Sequence, residues 1–226
     1  MNGARVLVVA AHPDDEVLGC GATLAKWRSQ GAEIQVAFLA DGVAARGAAD
    51  AGPAAQRRRA AARAASTALG LPPPWFGDFP DNRCDAVPLL EMAQAVEALV
   101  ARFSPTTVLT HHHGDLNIDH QRVHQAAMTA CRPQPGHTVR TLLFFEVPSS
   151  TEWQTPSPAL AFVPQWHEDV GATLDRKLAA LQAYAEELRP WPHPRSARAV
   201  EALARWRGAA VGCEAAEAFM LGRLVR

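Results

Sequence analysis

The stretch Arg5-Val-Leu-Val-Val-Ala-Ala-His-Pro-Asp-Asp-Glu16 decides how the rest of the chain is read. Arg5 to Ala11 is an unbroken, β-branched run without polar alternation, the pattern of a strand buried on both faces of a parallel sheet. Polarity then changes abruptly. Pro13 suits the first turn of a helix, where its missing N–H costs nothing, and Asp14, Asp15 and Glu16 set negative charge against the positive end of the helix dipole. A helix to about Gln30 is expected, after which Glu33 to Leu39 repeats the strand pattern and Asp41-Gly42 turns the chain. Strand, helix and strand in that order are a βαβ unit.

Working outward, Val43 to Ala55 is rich in Gly and Ala and reads as a flexible loop, and Gln56 to Leu69 as a helix closed by Gly70 and three prolines. Leu89 to Phe103 has apolar residues at helical spacing, Thr106 to Thr110 is a short strand, His120 to Cys131 a helix and Val139 to Val147 a further strand. Pro148 to Val170, with four prolines and two tryptophans, reads as irregular. Helices over Thr173 to Glu187 and Ser196 to Arg207 complete the chain, joined by a Pro-rich connector, Leu188 to Arg195. The expectation is one α/β domain over residues 1–226, a doubly wound, mostly parallel sheet with helices on both faces and its ligands beyond the carboxyl ends of the strands.

Composition removes several classes of function. Twenty-two basic against 23 acidic residues give a net charge of −1, with no basic stripe for nucleic acid. The apolar run Val6 to Ala11 is far short of the roughly 20 residues that span a bilayer and leads into acidic residues rather than a cleavage site, so no membrane insertion and a cytoplasmic location are expected. Cys20, Cys84, Cys131 and Cys213 are scattered, which suggests buried free thiols and no thiolate zinc site. The excess of Arg over Lys, 20 to 2, carries no functional meaning.

Chemistry concentrates where two strands end: at His12-Pro-Asp-Asp-Glu16, and at His111-His-His-Gly-Asp-Leu-Asn-Ile-Asp-His120. In a parallel sheet both lie on one rim. Five of the nine histidines fall between His111 and His124, more than a solvated face needs. His12 and Asp15 stand three residues apart at a helix start and converge on one point, and His120 can supply a third ligand. Two imidazoles, one carboxylate and an open position describe a catalytic zinc site, with Asp14 left free to take a proton from the activated water.

With these residues in view, Ala11-His-Pro-Asp-Asp-Glu16 and Asn117-Ile-Asp-His120 resemble the PIG-L/LmbE-like family of zinc-dependent sugar N-deacetylases. The resemblance extends to Asp41-Gly42, Phe79-Pro-Asp-Asn-Arg-Cys-Asp85, Phe145-Glu-Val-Pro-Ser-Ser-Thr-Glu-Trp153 and His193-Pro-Arg-Ser196, and so to nearly the whole chain. It implies a Rossmann-like fold, one Zn2+ per chain (Fe2+ or another divalent ion serving in its place), His12, Asp15 and His120 as ligands, Asp14 as general base, and an N-acetylated amino sugar as substrate. Many members carry a His where this chain has Asn117, so the proton donor to the leaving amine falls to Asp14, His113 or His193; Asp14, acting twice, needs no extra residue. The amide of Asn117 is left as a neutral donor to the oxyanion.

Other candidates carry two readings each. Asp119 either orients a ligating histidine or places charge at a helix start. Arg58, beside Arg57, binds a substrate hydroxyl or phosphate or lies on a solvated face. Arg83 with Asp81 and Asp85 lines the pocket or pairs within a turn. His193 and Arg195 clamp substrate or cap the connector, and Trp153 and Trp166 stack on a sugar or pack in the core or at a subunit contact in a homo-oligomer. Against the deacetylase stand an amidase acting on another small amide such as a thiol conjugate, a phosphoesterase, and a non-catalytic metal-binding protein.

Overall fold

The first strand, β1 (Arg5–Ala10), lies in the interior of a seven-stranded sheet, and its alternate residues belong to two different layers. Val6, Val8 and Ala10 enter one core, while Leu7 and Val9 enter the other. That is why the run is continuously apolar: both faces are covered. A computed structural model describes residues 3–40 and 51–226 of the chain.

The described elements run β1, α1 (Asp15–Ser29), β2 (Glu33–Ala40), α2 (Ala51–Leu69), β3 (Trp75–Phe79), α3 (Leu89–Phe103), β4 (Thr107–His111), α4 (Ile118–Ala130), β5 (Thr141–Phe145), β6 (Trp166–Asp169), α5 (Leu174–Gln182), α6 (Ala197–Ala209) and β7 (Ala216–Leu224). The sheet order is β3-β2-β1-β4-β5-β7-β6. The first five pair in parallel and β7 pairs antiparallel with both β5 and β6. One core packs residues of α1, α2, α5 and α6 on one face, and the other packs α3 and α4 on the opposite face. The sheet is therefore mostly parallel with helices on both sides, and the chain order reverses between β1 and β4, where the crevice of such a fold opens.

Several sequence boundaries move. The helix expected from Gln56 already runs from Ala51, so residues 51–55 are helical rather than loop; Asp41-Gly42 and the first part of that expected loop lie outside the described residues. The helix expected over Thr173 to Glu187 is regular only to Gln182. Three strands were not anticipated. β3 and β6 are short edges, and β6 lies inside the segment read as irregular. β7 is written in helix-forming residues, Ala, Glu, Met and Leu, and is a strand because β5 and β6 pair with it.

Helix α1 lies close on the sheet. A side chain at Gly19 would collide with the ring of Phe145 on β5, so glycine permits the approach that brings the helix N-terminus to the end of β4. Midway along α1, Lys177 and Glu217 form a buried pair 2.6 Å apart that also meets the helix backbone: Lys177 donates to the Leu18 carbonyl at 2.8 Å, and Glu217 accepts from the amides of Ala22 and Thr23 at 3.1 and 2.7 Å. No helix among the described residues is long and apolar enough to cross a membrane.

Candidate active site

β1 delivers His12 just past its last residue, and α1 begins three residues later with Asp15. The turn between them is tight enough to force Asp14 to a φ of 117°, a region that costs a non-glycine residue about 1–3 kcal/mol and that recurs at functional sites. The Asp15 carboxylate reaches back to accept from the His12 amide at 2.8 Å. Its Oδ2 then lies 3.5 Å from His12 Nδ1 and 3.4 Å from His120 Nε2, a ring carried into the site by the first turn of α4. Ligand atoms of His12, Asp15 and His120 all lie within 4.8 Å of one another, and all three residues are buried. Asp15 Oδ1 and His120 Nε2 have no hydrogen-bond partner although both are buried. Orphaned buried atoms of this kind are rare and costly, and the donor set, two imidazoles and a carboxylate, fits a divalent transition metal.

His111 is equally close to Asp15, at 3.5 Å, and stacks on His120 with ring centroids 3.9 Å apart. Its Nε2, however, accepts the Ala11 amide at 2.8 Å, so the lone pair a metal would need is already used. Burial and the neighbouring His120 push this ring well below the usual histidine range, which keeps it neutral.

Both candidate ligand rings are held from behind by carboxylates. Asp119 lies 2.9 Å and Asp81 3.2 Å from His12 Nε2, and Asp119 is itself fixed by the amides of Asn82 and Cys84 at 2.6 and 2.9 Å. This leaves His12 Nδ1 facing Asp15. Behind His120 stands Asp115, 3.1 Å from Nδ1 though out of line for a hydrogen bond as the ring sits here. Burial opposes the charge on Asp115, but His120 and the Ser150 hydroxyl outweigh it and bring the carboxyl down to about 2. Burial likewise opposes a proton on His120, and Asp15 and Asp115 together raise the ring to about 9. Sequence reading passes over Asp115 and gives Asp81 only a place beside Arg83; the signal available was that two ligating histidines need a carboxylate each, and Asp119 can serve only one.

Asp14 lies between two guanidinium groups. Its Oδ2 is 3.1 Å from Arg195 and 3.5 Å from Arg58, whereas Oδ1 is buried and unpartnered. Arg58 is only 8% exposed, donates to the Pro13 carbonyl at 3.0 Å and pairs with buried Glu187, so it acts on Asp14 and not on a solvated face. Burial raises the Asp14 carboxyl and the two arginines lower it; the net effect is upward from the ordinary carboxylate value.

The GlcNAc-PI de-N-acetylase (PIG-L) family profile matches residues 7–131, the half of the chain that holds every one of these residues except Arg195, Glu187 and Ser150. The chain belongs to the PIG-L family. It is 32% identical to the uncharacterized deacetylase YaiS of Escherichia coli K12 over 79% of this chain and 89% of that one. It is 28% identical to the 1D-myo-inositol 2-acetamido-2-deoxy-alpha-D-glucopyranoside deacetylase of Rhodococcus erythropolis PR4, over 88% of this chain and 72% of the relative. Among solved structures, the conserved protein TT1542 of Thermus thermophilus superposes with a TM-score of 0.77 at 27% identity, covering 98% and 96% of the two chains. The 4-carboxy-2-hydroxymuconate hydratase of Pseudomonas putida KT2440 gives the same TM-score at 22% identity over 99% and 98% of the two chains, so the fold is shared beyond deacetylases.

In this PIG-L chain the side chains of the remaining candidates lie outside the trio of His12, Asp15 and His120. Asn117 is the N-cap of α4: its side-chain oxygen accepts from the amides of Asp119 and His120 at 2.8 and 3.4 Å, and its N–H₂ donates to Asn82 at 3.3 Å. One of its two amide hydrogens is thus engaged with Asn82. His113 is exposed and sits 2.9 Å from the Ala159 carbonyl, as His112 does from that of Leu160, so these two tie residues 159–160 to the loop after β4. The loop can approach so closely because position 114 is glycine; a Cβ there would strike the Leu160 carbonyl. Arg83 is exposed at the start of a short 3-10 turn. His193 accepts the Arg195 amide at 3.0 Å and packs edge-on to half-exposed Trp153, which shapes the connector that presents Arg195. Trp166 is partly buried on β6 against the core.

Proposed function

We propose that this chain is a metal-dependent N-deacetylase that removes the acetyl group from an N-acetylated amino sugar, with His12, Asp15 and His120 as ligands for Zn2+ or Fe2+. The observation that carries the reading is the pairing of two kinds of unmet valence in one buried place: Asp15 Oδ1 and His120 Nε2, which suit a cation, and Asp14 Oδ1, which suits a proton. A bound divalent ion supplies Lewis acidity, polarising the amide carbonyl and making water acidic enough to yield a proton near neutrality.

The chain's own residues do the rest. Asp14 Oδ1 takes the proton from the attacking water while Arg195 and Arg58 hold Oδ2, so the carboxylate cannot swing away. Asp14 then returns that proton to the departing nitrogen as the C–N bond breaks, which leaves acetate and a free amine. A carboxyl raised above its ordinary value is a stronger base toward the proton of the water than an exposed aspartate would be. The acetylated amino-sugar class is supported by the family description and by the Rhodococcus relative.

The test is to purify the protein, measure its bound metal, and follow free-amine release from a panel of N-acetyl sugars, sugar nucleotides and N-acetylated thiol conjugates. Release from the sugars, lost on chelation and restored by a divalent metal, is expected. Cleavage confined to the thiol conjugates would make the chain an amidase of another class, and stoichiometric metal without any amide cleavage would remove the hydrolase reading.

A further inference from the structure

The segment Ser149-Ser150-Thr151 has no part in the chemistry above, yet its three consecutive hydroxyls reach both halves of the site. Ser150 Oγ and Thr151 Oγ1 donate to the two carboxylate oxygens of Asp115, the latter at 2.7 Å, and Asp115 faces His120 Nδ1. The Asn117 amide donates to the same carboxylate at 2.9 Å, which sets Asp115 against the cap of the helix that carries His120. Ser149 Oγ accepts from Arg195 Nε at 2.7 Å, and the same guanidinium meets Asp14. Ser149 is held in a left-handed conformation, φ 69°, with its amide on Glu152 at 2.6 Å. The turn thus adopts a strained shape that points adjacent hydroxyls at two different partners.

We propose that the 149–151 turn is a positioning element shared by metal ligand and base: through Asp115 it aims His120, and through Arg195 it aims Asp14. The inference rests on the functional reading above for the identity of the ligand and base. The three hydroxyls and Asp115 act through the groups they hold. Outer carboxylates that orient ligating histidines are worth about 10–100-fold in metal affinity when removed, which sets the scale expected for Asp115.

The two arms have separate readouts. Zinc dissociation constants, measured by chelator competition on folded protein verified by circular dichroism, should rise about 10–100-fold in Asp115→Ala, less in Asp115→Asn, whose side-chain oxygen can still accept from the ring, and several-fold in Ser150→Ala. Ser149→Gly removes the hydroxyl at a backbone angle glycine adopts freely, so the fold is kept. It should leave zinc affinity within about twofold of wild type and lower kcat at least roughly fivefold at saturating zinc, with KM little changed. Folded Asp115→Ala with wild-type zinc affinity overturns the ligand arm, and wild-type kcat in Ser149→Gly overturns the base arm. A wild-type protein that binds zinc but cleaves nothing on the substrate panel counts against the deacetylase reading instead, while the zinc affinities still decide this one.

Discussion

Two clusters of buried charge meet helix α1, and they are built on opposite rules. Halfway along the helix, Lys177 and Glu217 satisfy each other and three backbone groups, Leu18 carbonyl and the amides of Ala22 and Thr23. At the N-terminus of the same helix, Asp14, Asp15 and His120 each keep a buried atom with no hydrogen-bond partner. Burying a charge without compensation costs several kcal/mol, so a chain tolerates it where the valence is kept for something that arrives later. The closed cluster is a structural joint. The open one is where the proposed cation and proton would sit, and burial alone would not have told the two clusters apart.

The widest separation between the clusters should come from His120→Ala. That variant is expected to lose stoichiometric metal and all detectable amide hydrolysis while staying folded, whereas Lys177→Met, if kept below its melting temperature, should retain one metal per chain. Metal content after gel filtration checks both. One metal per chain in His120→Ala would move the site away from His12, Asp15 and His120.

Within the open cluster, Asp14→Asn divides ligand from base. It preserves shape and burial but replaces the basic carboxylate with an amide that cannot take the proton, and general-base catalysis of this kind is worth about 10²–10⁴-fold. Turnover at saturating metal should fall by that range with metal content unchanged. Loss of the metal in this variant would make Asp14 a ligand, and undiminished turnover would remove it from the chemistry.

The closed cluster should respond in stability instead. Lys177→Met leaves Glu217 buried without its counter-charge and should cost about 3–5 kcal/mol in urea unfolding. Replacing both partners, Lys177→Met with Glu217→Leu, often restores stability in buried pairs, but here it should not, because Leu18, Ala22 and Thr23 would lose their partners as well. A cost below about 1 kcal/mol for the single variant would mean that water reaches the pair and that the contrast with the active-site end is false.

How much of this could be read from the chain alone follows the range of the interactions. β1 and the grouping of His12 with Asp15 are local, set by a buried strand run and an i, i+3 spacing, and they were legible, although α1 begins at Asp15 rather than at Pro13. His120 was legible because a second strand ends in a polar loop on the same rim. The tasks of Asp81, Asp115 and Glu187 were not, since they depend on partners that only the fold brings near: His12 for Asp81, Ser150 for Asp115, Arg58 for Glu187. The capping task of Asn117 was hidden for a simpler reason. Starting the helix at His120 rather than Ile118 hid that Asn117 stands at the N-cap, where its side chain has a ready task. Arg195 was read as clamping substrate or capping the connector, and nothing in sequence pairs it with Asp14, 181 residues away.

The smallest effect concerns a histidine that belongs to neither rule. His124 on α4 donates from Nδ1 to the His111 carbonyl at 2.9 Å, so it needs neither metal nor proton. Burial, with help from nearby His113 and His112, depresses this ring to about 4 despite that bond. A histidine with a depressed value binds fewer protons folded than unfolded between about 4 and its ordinary 6.5. Its contribution to stability is therefore complete above about 6.5 and is lost as pH falls through that window, amounting to a few kcal/mol at most. His12 and His120 are held the other way, raised by their carboxylates, so they do not share this acid loss. Melting temperatures of wild type and His124→Gln between about pH 7 and pH 4 isolate the ring: Gln can keep a hydrogen bond to the His111 carbonyl but cannot titrate. The wild type should lose more stability across the window than the variant. Parallel curves would mean that His124 protonates without penalty, and that the loop after β4 tolerates charge outside the cluster built to hold it.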